Sequence, residues 1–121
     1  MKTVRYGGNL EIGDFIAITF ATGFTFGWYV GEGKNTLQYY EYHQPKRCLD
    51  YYNTCKNDDK YYHHLKANEE EFNKTWIGKS YLLTWKYRVM KIENPESIFT
   101  NPDNLQTYLE SKEILKTLNI I

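Results

Sequence analysis

A chain of 121 residues carrying 15 basic and 15 acidic side chains has no net charge, and neither half departs from balance: 8 basic against 7 acidic residues up to Lys66, then 7 against 8. That length makes one domain with a real core and is too short for two of ordinary size. The balance excludes bulk attraction to nucleic acid or anionic lipid and leaves room only for a local basic patch.

Thr3-Val4-Arg5-Tyr6 reads as a short first strand, ended by the turn signal Gly7-Gly8-Asn9. A β-meander follows from Gly13 to Tyr42. Phe15 to Phe20, Phe24 to Val30 and Thr36 to Tyr42 are rich in aromatic and β-branched residues, and Ala21-Thr22-Gly23 and Gly31-Glu32-Gly33-Lys34-Asn35 between them carry turn chemistry. Alternation places Ile16, Ile18 and Phe20 on one face of their strand and Phe24, Phe26, Trp28 and Val30 on one face of the next, and these faces are expected to share the interior. The outer wall is then Phe15, Ala17, Thr19, Thr25, Gly27, Tyr29, Gln38, Tyr40 and Tyr42, amphipathic enough to need partial cover.

The pattern breaks at His43-Gln44-Pro45, and Lys46 to Lys79 reads as a polar insertion. Within it Arg47 to Cys55 makes two helical turns, Asn57 to Lys60 a loop, and Asn68 to Lys74 a short helix capped by Asn68, with Glu69, Glu70 and Glu71 near its positive end. Tyr81 to Ile92 is the next strand, with Tyr81, Leu83, Trp85, Tyr87 and Val89 on its core side and Asn94-Pro95 ending it. The tail holds the one long helix, 101–118. Asn101 caps it, Pro102 opens it, and Leu105, Tyr108, Leu109, Leu115 and Leu118 form a stripe for docking on the open sheet or on a partner chain.

Chemistry is sparse. The 12 tyrosines fit either an A/T-rich gene or a binding surface. Cys48 and Cys55 are read as free thiols, with a disulfide as the alternative. Their six-residue gap and the adjacent His63 and His64 argue against zinc, so no metal is expected. The sequence gives no reason to expect a lowered pKa at Cys48 or Cys55, Asp58/Asp59 and Glu69 to Glu71 sit in hydrophilic runs, and Gly31-Glu32-Gly33-Lys34 lacks the ending of a phosphate loop. No catalytic residue and no cofactor are expected. With no apolar run of 18 residues and no signal-peptide core after Met1, no membrane association is expected, and the chain is read as cytoplasmic.

One face offers binding chemistry. Lys86 and Arg88 stand two apart, and Tyr29, Tyr40 and Tyr42 occupy a neighbouring outer surface, which together stack a base and hold a phosphate. The plainer reading is that the cations keep an edge strand soluble and the rings pack beneath the C-terminal helix.

Gly13-Asp14 before a strand, the aromatic strand with Gly27-Trp28-Tyr29-Val30-Gly31, a hairpin, a third strand and later Tyr87-Arg88-Val89-Met90-Lys91-Ile92 resemble the small SH3-like barrels of the Tudor and KOW kind, and small phage proteins with that barrel. The likeness covers Leu10 to Tyr42 and Ser80 to Ile92. It implies a mainly β (α+β) fold, an SH3-like antiparallel barrel or curled meander, with the insertion and the C-terminal α-helix as departures. It also implies ligand contact at aromatics around the first hairpin, by position Phe24 and Phe26. Phage origin would place the protein in the host cytoplasm or the virion.

Two functions are therefore expected to compete. One is a non-enzymatic protein-interaction or structural module that self-associates or docks on a protein partner. The other is a small binder of nucleotides or single-stranded nucleic acid, for example a phage sponge for defence nucleotides.

Overall fold

The structure, a computed structural model, describes residues 2–4, 10–20, 22–34, 36–55, 80–83 and 88–121. The turn at Gly7 to Asn9, the loop at Asn57 to Lys60, the helix at Asn68 to Lys74, His63, His64 and Lys86 lie outside these residues. The fold is α+β and mainly β. Strands β1 (Lys2–Val4), β2 (Phe15–Phe20), β3 (Gly23–Gly33), β4 (Thr36–Glu41), β5 (Ser80–Leu83) and β6 (Arg88–Lys91) form an antiparallel sheet in the order β1-β6-β2-β3-β4-β5. Among the described residues two α-helices accompany it, α1 (Gln44–Cys55) and α2 (Pro102–Thr117), with a 3-10 turn at Pro95–Ile98 before α2.

The β2–β3 connection decides which side chains meet. Phe20 pairs with Gly23, so the turn holds two residues, and Phe15 faces Trp28 while Ala17 faces Phe26. Ile16 and Ile18 instead face Gly27 and Thr25. A three-residue turn would have set Ile16, Ile18 and Phe20 beside Phe24, Phe26 and Trp28; the shorter turn shifts the parity by one and sends the two sets to opposite faces. The expected common interior is thereby corrected to two cores, one on each side of the sheet.

The first core joins Phe15, Ala17, Trp28, Tyr40 and Ile92 to Tyr108 and Leu115 of α2. The second joins Ile16, Ile18, Tyr29, Leu37, Tyr39 and Val89, with no helix residue among its described members. Burying each of these large apolar groups stabilises the fold by about 1.5–3 kcal/mol. Register slips between Tyr29 and Gly31, where a bulge sits and Gly31 takes a φ of 134°, a conformation natural only to glycine. At Gly27 a side chain would run into the Tyr40 carbonyl, so these two strands come together only because that position has none.

Two parts of the strand expected from Tyr81 to Ile92 are described, and they pair with different neighbours. The first, β5, pairs with β4, while the second, β6, pairs with β2 and β1. Helix α1 also begins earlier than expected, at Gln44, with a fully buried Pro45 in its first turn. Proline is well suited there because the first amides of a helix have no partner within it.

Helix α2 follows its sequence signals closely. The Asn101 side chain accepts a hydrogen bond from the Asp103 amide at 2.8 Å, and Pro102 occupies the first turn. At the other end Asn119 takes a φ of 58° while Ile120 N–H donates to Leu115 O and Asn119 N–H to Lys116 O. This Schellman closure turns Ile120 and Ile121 back onto the first core. Of the two surfaces expected to take the helix stripe, the chain's own sheet takes most of it: Tyr108 and Leu115 are buried against it, Leu105 and Leu118 pack beside them, and Leu109 lies off the stripe, 39% exposed. A latch joins the helices, since the Lys46 amide, one of the unpaired first-turn donors of α1, donates to Oγ of the fully buried Ser111 at 3.1 Å.

Candidate functional site

Aromatic side chains on the helix-covered face form a continuous ladder. At its base Trp28 stacks on Tyr108 with centroids 5.3 Å apart, and Phe15 meets both edge-on at 5.1 Å. Phe99, in the link between the 3-10 turn and α2, stacks on Tyr108 at 5.0 Å and reaches Tyr42 at 5.0 Å. Phe26 lies 6.3 Å from Phe15 and 6.4 Å from Phe99. Phe24 ends the ladder, edge-on to Phe26 at 5.1 Å and 65% exposed. Edge and offset-stacked pairs of this kind add about 0.5–1.5 kcal/mol beyond buried area, so the ladder is stiff from its buried foot to its exposed tip.

The residues expected to form one binding surface separate. Tyr40 and Tyr42 are on the ladder's side, Tyr40 only 5% exposed in the core and Tyr42 half-buried against Phe99 and His43. Tyr29 belongs to the opposite core and is 6% exposed, so its grouping with Tyr40 and Tyr42 is corrected by the register that pairs it with Tyr39. Phe24 and Phe26 stand together as expected. Of Arg88 the strand position is described: it faces Thr19, which in turn faces Phe24, so the three fall in one row across β6, β2 and β3.

Phe99 was not legible as a ladder member, lying in an irregular link, although an aromatic just ahead of a capped helix is a signal for entry packing. Ser111 was missed because it is polar; its place between Tyr108 and Leu115 at three- and four-residue spacing marks it as part of the buried stripe.

Other reactive groups are quiet. Burial raises the Cys48 thiol above its ordinary value, which keeps it protonated and a poor nucleophile at neutral pH. Burial, assisted by the charge of Glu96, also raises the Tyr108 phenol. His43 places Nε2 3.5 Å from Glu41, and its buried Nδ1 has no hydrogen-bond partner among the described residues. Among those residues no three His, Cys, Asp or Glu side chains converge as metal ligands, and no helix is long and apolar enough to cross a membrane.

No family model, curated protein or solved structure matches this chain.

Proposed function

We propose that the chain is a non-enzymatic interaction module, a sheet curled into a small SH3-like barrel and backed by α2, which associates with a second copy of itself through the ridge ending at Phe24. The exposure of Phe24 at the tip of an ordered ladder carries the proposal. A scattered exposed apolar residue is ordinary. One held by Phe26, itself held by Phe15 and Phe99, is already ordered and loses little entropy when a partner covers it. Zero net charge sets no long-range repulsion between copies. A two-fold axis near Phe24 would lay ridge on ridge, each copy covering the other's exposed ring.

Chain length supports the curled sheet. In a flat sheet β5 and β6 would stand four strand spacings apart, about 19 Å. Leu83 is level with Thr36 and Gly33, and Arg88 with Thr19 and Phe24, so they also differ by nine residues along β3, roughly 30 Å. Five residue steps from Leu83 to Arg88 reach about 18 Å at most. Only a sheet bent back on itself brings those ends within reach, and the bulge at Tyr29 to Gly31 is the kind of irregularity that bends a strand.

A nucleotide binder is the second reading, favoured by the row Arg88, Thr19, Phe24, where a cationic residue and an exposed ring share one register. Native mass spectrometry of the purified chain without added ligand separates the two. A bare symmetric oligomer is the expected result, and a bare monomer at every concentration contradicts self-association. Retained mass of nucleotide size would favour the second reading, in which Lys86→Ala with Arg88→Ala abolishes the retention.

A further inference from the structure

Residues of α1 and of the C-terminal half of α2 line a groove of about 450 Å³, within the usual size of ligand sites. Leu49, Ile114 and Leu118 line it with apolar surface, and Lys46, Glu110 and Glu113 stand around it. It is separate from the Phe24 ridge, with which it shares no residue. The charges around it are unequal. Lys46 is already paired twice, with Asp50 at 2.7 Å and Glu110 at 3.6 Å, whereas Glu113 is exposed and makes no ion pair among the described residues. Lys112 reaches over the Tyr108 ring instead of into the groove. The lining residues of α2 also belong to its C-terminal half, where the helix dipole favours positive charge.

We propose that this groove binds a basic amphipathic helix of a partner protein, apolar stripe inward and Lys or Arg set against Glu113 and Glu110. The walls are two helices whose main-chain groups are bonded within themselves, so they offer no row of free amides and carbonyls to an extended peptide. A partner that satisfies its own backbone fits such walls, and a third helix seated between two is a recurrent mode of recognition. The excess carboxylates select the sign of its charge.

A display library of helical peptides, about 18 residues long, with a fixed apolar stripe and flanks randomised among Lys, Glu and Ser, tests the assignment. Lys-flanked peptides are expected to be enriched, and the best of them, measured by fluorescence anisotropy, to bind Glu113→Lys about tenfold more weakly or worse. Phe24→Ser should leave that binding unchanged, so the groove and the ridge stand or fall separately. Enrichment of Glu-flanked peptides, no enrichment at all, or equal affinity for Glu113→Lys would overturn the proposal. So would a concentration-dependent dimer that Glu113→Lys dissolves and Phe24→Ser retains, because the groove would then belong to a second copy.

Discussion

On the face whose described core holds no helix residue, Ile16, Ile18, Leu37 and Val89 lie between 0% and 4% exposed, whereas on the face covered by α2 the rings run from Trp28 at 1% to Phe24 at 65%. One face sets Tyr29 and Tyr39 beside its aliphatic residues and is closed at each of its described core positions. The other is aromatic and graded, rigid at its foot and open at its tip. The difference is one of closure: the first face fills its space and ends in buried positions, while the stacked rings of the second lead outward to a position that the core does not itself bury, the one proposed above for association.

The comparison breaks hardest at the feet of the two faces. Trp28→Ala should destabilise by about 3–5 kcal/mol and Ile18→Ala by about 2–5 kcal/mol, read from urea midpoints. The first should also loosen the ridge, seen as a changed aromatic circular dichroism signal in the protein that remains folded. Equal loss of that signal in both variants would show that the faces are not separate cores. Gly27→Ala comes next. A methyl there meets the Tyr40 carbonyl and pushes β3 from β4, at a cost of about 1–3 kcal/mol, and an unaltered midpoint would contradict the close approach.

A smaller effect follows from proton release. The Cys48, Tyr108 and Lys46 pKa values are all raised: by burial for Cys48, by burial and then Glu96 for Tyr108, and for Lys46 chiefly by its hydrogen bond to Asp50. A raised group keeps its proton longer in the folded chain, so its stabilisation is complete below the unfolded value and is lost as pH rises through the folded one. Urea midpoints should therefore fall as pH climbs above about 8.5, first through Cys48, then through Tyr108 from about 10 and Lys46 from about 10.5, and Cys48→Ser should remove the earliest part of that fall. A midpoint that rises over this range would contradict the assigned directions.

Much of the architecture was legible, for identifiable reasons. Phe15 to Phe20 reads as a strand because its composition leaves no alternative, and Asn101-Pro102 marks a helix start because cap and proline act locally. The faces were not legible, since Ala21-Thr22-Gly23 supports a turn of two or three residues and the choice between them inverts every side chain of β3 relative to β2. That β5 pairs with β4 while β6 pairs with β2 is a long-range choice, which no local pattern encodes. At the candidate site, the closeness of Phe24 and Phe26 was legible because two residues apart on one strand share a face. Phe99 was not, because its neighbours come from two distant segments, Tyr42 and Tyr108.

The central claim is that the exposed end of the ladder serves association and not stability, and Phe24→Ser tests it most directly when sedimentation velocity over a concentration series is run beside a urea melt. The account predicts a parent that self-associates, a variant that stays monomeric, and urea midpoints that agree within about 0.5 kcal/mol. A variant that associates as the parent does, or one that loses stability on the scale of a core substitution, would contradict it.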